Sequence, residues 1–163
     1  RIAASAVQGL AYANSLPAIG VSSLACQAQT ALRLGEVEAG ATVLSLLDAR
    51  INEVYGALYN FQQGLAVLQE GPWACAPVEL APEFTGPLYG VGSGCNFLDE
   101  FPAGVRERLA GRSSSVLPAA RDLVPHALDA LERGQTHSAR EVQPVYVRDE
   151  ISWKKLPEQG KRP

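Results

Sequence analysis

The stretch Thr42-Val-Leu-Ser-Leu-Leu-Asp-Ala-Arg-Ile-Asn-Glu-Val-Tyr-Gly-Ala-Leu-Tyr59 decides the fold. Val43 to Leu47 is apolar and β-compatible, the pattern of a strand covered on both faces. Asp48-Ala49-Arg50-Ile51-Asn52 is polar and turn-forming. The returning segment would place Val54, Gly56 and Leu58 on one face and Tyr55, Ala57 and Tyr59 on the other. A strand, a charged turn and a returning strand predict a hairpin at the centre of a sheet.

Downstream, Gln62-Gln63-Gly64 predicts a second turn, with a third strand over Leu65 to Leu68. Three antiparallel strands followed by helices open an α/β layer of the ribonuclease-H type. Proline thickens between Pro72 and Pro87, where a short helix is expected around Val78 to Ala81, and Leu88 to Val91 reads as a strand. The glycines at 90, 92 and 94 suit a tight strand-to-helix turn, or more weakly a phosphate cradle, although no Walker spacing follows. Phe97 to Arg112 reads as helix and surface loop, and Val116-Leu117 as a short strand. A helix is expected from Pro118 to Arg133, with Leu123, Ala127, Leu128 and Leu131 buried and Gly134 as its stop. Pro144 to Arg148 reads as extended.

Upstream, no charged residue occurs between Ile2 and Leu32. Gln8, Asn14, Ser15 and Pro17 break any run of about 20 apolar residues that a membrane span needs. The segment parses as a helix to Asn14, a strand Ala18 to Val21, and a helix opening at Ser22 or Ser23 and ending before Gly35. The first helix has no polar face: Ala3, Val7, Leu10 and Ala11 form one stripe, Ile2, Ala6, Gly9 and Ala13 another. Such a helix is covered on several sides, by a core or by a partner. The absence of methionine and of a capping residue before Arg1 suggests a fragment whose beginning is missing.

At 163 residues, 47% apolar and 19% charged, the chain suits a globular protein able to bury roughly 70% of its unfolded surface. A net charge of -3 gives no general attraction to nucleic acid. Cys26, Cys75 and Cys95 are far apart and odd in number, so free thiols in a reducing cytoplasm are expected. His126 and His137 make no metal motif, and a Cys95–His126 nucleophilic pair has nothing in its favour. Asp48 and Glu53 raise the possibility of a two-magnesium nuclease site, but such sites need more carboxylates and Arg50 would repel the metal. The structural alternative has Asp48 accepting turn N–H groups and Glu53 pairing with Arg50. Trp153, Lys154 and Lys155 form at most a small basic patch.

Three separated stretches resemble the bacterial TsaB (YeaZ) family, also grouped as glycoprotease-like: Leu16-Pro17-Ala18-Ile19-Gly20-Val21-Ser22-Ser23-Leu24, the Asp48-Ala49-Arg50…Glu53-Val54-Tyr55 signature, and Pro144-Val145-Tyr146-Val147-Arg148 with Trp153-Lys154-Lys155. The resemblance implies a ribonuclease-H-like, actin-like ATPase fold, a mixed sheet with antiparallel hairpins flanked by helices. Residues 1–40 would be the remnant of a truncated first lobe, 41–155 the second lobe with its closing segment, and 156–163 a disordered tail. It implies a cytoplasmic, noncatalytic subunit in threonylcarbamoyladenosine modification of tRNA. The partners would be a TsaD-like subunit and a TsaE-like ATPase, with ATP or ADP and metal bound on those partners and tRNA met through the complex. Ile2, Ala3, Ala6, Val7, Gly9, Leu10 and Ala13 would form the partner interface, or a homodimer interface in isolation. Asp48, Arg50, Glu53, Tyr55, Arg148, Trp153, Lys154 and Lys155 would be structural signature residues. The alternative is a metal-dependent nuclease or a peptidase on the same scaffold.

Overall fold

The structure, a computed structural model, describes residues 2–148. Strand β1 (Thr42–Arg50) lies at its centre, antiparallel to β2 (Glu53–Gln62), which pairs with β3 (Leu65–Cys75). On the other side β4 (Leu88–Val91) runs parallel to β1, and β5 (Leu109–Ser113) parallel to β4. The resulting order β3-β2-β1-β4-β5 is the mixed sheet of a ribonuclease-H-like α/β layer.

Both faces of the central hairpin are covered, which is why its sequence is apolar without strict alternation. Val43, Ala57 and Tyr59 pack under helix α2 (Ser23–Leu34) through Leu24, Ala25, Ala28 and Ala31. Leu44, Leu46, Val54 and Leu58 face the other way, against Leu80, Cys95, Phe101 and Val105. The two-face assignment made from alternation therefore holds. The hairpin turn takes Arg50, Ile51 and Asn52 through φ of 65°, 56° and 57°. The β2–β3 turn is Gln63-Gly64 with φ of 51° and 80°, the left-handed pair whose twist suits a two-residue hairpin.

Several local expectations are corrected. Strand β3 continues to Cys75 as an edge strand, past Leu68, because β2 offers partners along its whole length. Ala18 to Val21 is not a strand; Ala18 alone bridges His137. The expected helix near Val78 is a 3₁₀ turn, Pro77–Glu79. Leu109–Ser113 is β5 rather than helix or loop, and Val116 is a buried loop residue. A 3₁₀ turn (Ala120–Leu123) precedes the late helix, which starts at Val124; a four-residue helix α3 (Ala103–Arg106) comes earlier and the late helix is α4 (Val124–Glu132). Its expected buried stripe is only partly covered: Leu123 and Ala127 are half-buried, whereas Leu128 and Leu131 are 55% and 53% exposed. Gly134, at φ 69°, ends the turn after it.

The glycine string after β4 is a packing device. A Cβ on Gly92 would stand 2.2 Å from Gln27 Nε2, and one on Gly94 2.7 Å from Leu46 Cβ. Gly92 also takes φ 98° and donates its N–H to Ser113 O. The loop is thus pressed onto β1 and α2, with the Gly92 N–H already engaged.

Candidate partner-docking site

Helix α1 (Ile2–Asn14) owes its form to alanine and other helix-compatible residues. It closes with Leu16 N–H on Ala11 O and with the Asn14 amide on Leu10 O. Ala11 is its single buried residue, seated with Ala18, Ala139 and Val142 in a small cluster. That anchor fixes which way the helix faces. With residues advancing 100° each, Ile2, Ala6, Gly9 and Ala13 point directly away from Ala11. Ala3 and Leu10 stand to the sides of that face, whereas Val7, four residues before Ala11, lies near the seated side and is 46% exposed.

All seven residues expected at the interface are exposed, Ile2 by 89% and Leu10 by 68%. A Cβ built on Gly9 meets nothing within 4 Å. Two further apolar residues extend the surface, Tyr12 at 64% and Leu16 at 59% exposure. Their size and position on the same uncharged segment are the signal that could have identified them. A groove of about 520 Å³ runs beside them, lined among others by Tyr12, Leu16, His137 and Arg140. Contiguous apolar surface of this kind marks an interaction site.

At the β1–β2 hairpin, the structure gathers the described signature residues. Asp48 Oδ1 accepts the Arg50 N–H at 2.8 Å, the turn bond expected of it. Arg50 itself lies 87% exposed, with its guanidinium 3.8 Å from Asp48. Glu53 does not pair with Arg50. It forms an ion pair with Arg148, whose side chain is 17% exposed, donates to Ala49 O at 3.2 Å and lies 5.6 Å from the Tyr55 ring centre. Local reasoning chose the nearest cation; the fold supplies one from the far end of the chain. Trp153, Lys154 and Lys155 lie outside the described residues.

The chemistry of a nuclease or peptidase finds little support in these residues. Asp48 and Glu53 are engaged by the turn and by Arg148, and among the described residues no three His, Cys, Asp or Glu gather as metal ligands. Burial raises the Cys95 thiol to about 12, so it is not a thiolate nucleophile at neutral pH. His126 lies against Ala25 of α2, across the sheet from Cys95, and burial lowers its pKa.

No family model matches the chain. It is 37% identical to the tRNA threonylcarbamoyladenosine biosynthesis protein TsaB of Escherichia coli K12, over 96% of this chain and 68% of that protein. The chain belongs to the TsaB family. The TsaB protein of Haemophilus influenzae is 32% identical over 96% of this chain and 67% of its own length. YeaZ of Pseudomonas aeruginosa superposes with a TM-score of 0.81 at 35% identity, covering 90% of this chain and 67% of that one. A second Pseudomonas aeruginosa structure, of a protein described as similar to peptidase YeaZ, gives 0.82 at 34% identity, covering 91% and 67%. In this chain Glu53, Tyr55 and Arg148 of the family-like stretches meet in one clasp, and α1 stands exposed away from it. No helix among the described residues is long and apolar enough to cross a membrane.

Proposed function

We propose that this TsaB-family chain is a noncatalytic scaffold subunit in threonylcarbamoyladenosine modification of tRNA, docking through α1 onto a TsaD-like subunit. The observation that carries the proposal is the exposure of α1, a helix without a charged residue on which all seven expected interface residues are exposed. Burying such a face on a partner removes apolar area from water at about 25 cal/mol per Å². In this reading residues 1–40 belong to the first lobe and 41–155 to the second. ATP or ADP and metal sit on the partners, a TsaE-like ATPase joins, and tRNA is met through the assembly. In isolation the same face pairs two copies.

Gly9→Glu in the full-length protein tests this. Position 9 has open space around it and glutamate is a better helix former than glycine, so the denaturation midpoint does not fall. A carboxylate buried against an apolar partner lacks a counter-charge, and binding to the TsaD-like subunit falls by about a hundredfold or more. Reconstituted tRNA modification falls with it. Undiminished co-purification of this variant would remove the proposal's basis.

A further inference from the structure

The groove beside α1 has a charge pattern at odds with the rest of the chain. The end of α1 and the residues after it contribute Tyr12 and Leu16, and the later segment contributes Thr136, His137 and Arg140. No aspartate or glutamate lines it, in a chain that carries 17 of them against 14 lysines and arginines. The adjacent carboxylate, Glu141, is turned into a cap, where Ser138 N–H and Oγ each donate to its Oε2 at 2.8 Å. Among the described residues Arg140 makes no ion pair; its guanidinium stands 5.8 Å from the centre of the Tyr12 ring. The two segments are held together by the packing of Ala11 with Ala139 and by two backbone hydrogen bonds between Ala18 and His137, of 2.9 and 2.8 Å. The groove also adjoins the proposed docking face, since Gly9 and Tyr12, three residues apart, are neighbours on the helix surface.

We infer that this groove receives an acidic side chain of the docking partner next to an apolar one, the apolar group lying on Tyr12 and Leu16 and the carboxylate pairing with Arg140. This rests on the docking role of α1 proposed above. Arg140 is a cation without an anion at the border of an apolar surface. A carboxylate brought there by a docked protein would be shielded from water by that same surface, which strengthens the pair and its hydrogen bonds. An RNA strand fits less well: one arginine neutralises one phosphate, and the net charge of -3 opposes the approach of a polyanion.

The test measures binding of the TsaD-like subunit to the full-length protein and to Arg140→Glu, Arg140→Gln, Leu16→Ser and Gly9→Glu, at low and high salt. Arg140 and Leu16 are exposed, so their variants should keep the wild-type denaturation midpoint. Arg140→Gln should weaken binding about fivefold and flatten its salt dependence. Arg140→Glu sets two carboxylates against each other and should weaken it about thirtyfold or more at low salt, with an Asp→Arg or Glu→Arg change in the partner restoring affinity. Leu16→Ser should cost about tenfold and leave the salt dependence as it is. Wild-type affinity in Arg140→Glu or in Leu16→Ser overturns the inference. So does an Arg140→Glu variant that binds the subunit normally but loses affinity for tRNA, or one that binds normally with a lowered midpoint, which would give the groove to another part of the full-length chain. Gly9→Glu separates the two ideas: normal binding there with loss in Arg140→Glu removes the α1 face and keeps the groove, and the reverse pattern keeps the face and removes the groove.

Discussion

Helices α1 and α2 reverse the usual expectation about burial. Helix α1 is apolar or small at nearly every position, yet one of its 13 residues is buried. Helix α2 carries Gln27, Gln29, Thr30 and Arg33 among its 12 residues, and eight are buried. The difference lies in what each helix finds beside it. Gln27 Nε2 donates to Ser45 Oγ, Leu46 O and Val91 O at 2.9, 3.2 and 3.0 Å, linking α2 to β1 and β4. Gln29 donates to Gly64 O and accepts from Ala66 N–H, meeting both sides of the β2–β3 turn. These bonds offset much of the cost of burying the amides and fix the register of the helix on the sheet, although Gln27 Oε1 is buried without a partner. Among the described residues, no side chain of α1 is shown hydrogen-bonded to another element, and its one seat is the small cluster around Ala11. On the docking role proposed above, its apolar surface serves an assembly, whereas that of α2 serves the domain.

The sharpest way to break this contrast is to place the same charge on both helices. Ala28 is fully buried and Ala6 exposed. Ala28→Glu buries an unpaired carboxylate at several kcal/mol, a large share of the roughly 5–15 kcal/mol that holds a domain together. Loss of the cooperative denaturation transition is expected. Ala6→Glu should shift the midpoint of the isolated protein by no more than about 0.5 kcal/mol. Comparable losses in the two variants would show that α1 belongs to the core.

A second difference is electrostatic. Helix α2 is tied to the 3₁₀ turn at Ala120–Leu123 through Asp122, which takes Arg33 Nε at 2.7 Å, Arg33 Nη2 at 2.9 Å and Thr30 Oγ1 at 2.8 Å. The Arg33 hydrogen bonds hold the Asp122 carboxyl below its ordinary value, against the opposing effect of burial. A carboxyl depressed in the folded state contributes stability above its unfolded value, near pH 4, and loses it as the pH falls through the folded value below that. Asp122→Ala should cost about 2–3 kcal/mol at neutral pH, because Thr30 and Arg33 lose a buried partner. Asp122→Asn should flatten the acid limb of urea midpoints measured from about pH 6 downwards. An unchanged acid limb would assign that pH dependence to other carboxylates.

What could be read from the chain alone follows the same division. The central hairpin was legible because its partners are local and its alternation decides which side chain faces which layer. The bare stripe of α1 was legible as an unexplained apolar surface. Strand β5 was not: Leu109-Ala110-Gly111-Arg112-Ser113 has no apolar run, and it is extended because β4 presents a row of unpaired backbone groups. Val116 is apolar because it plugs the α2 side of the core from a loop, which periodicity does not distinguish from a strand. The late helix shows the opposite failure, an amphipathic stripe taken as buried that the described fold covers only in part. The Glu53–Arg148 clasp needed the fold itself, since no local pattern says which of many cations will return to the hairpin.

The smallest expected effect refines what α1 is shaped for. Glycine in a helix interior costs roughly 0.5–1 kcal/mol relative to alanine, and at position 9 no steric reason within the chain requires it. Gly9→Ala should therefore raise the melting temperature of the isolated protein by a few degrees. If a partner helix approaches most closely at this point, the added methyl must be accommodated in the interface, and affinity for the TsaD-like subunit should fall although the monomer is more stable. Opposite signs for stability and binding would mark Gly9 as the contact point of two backbones. A gain in both would move the closest approach along the helix to Leu10 or Ala13, where Leu10→Ala should then show the larger loss of affinity.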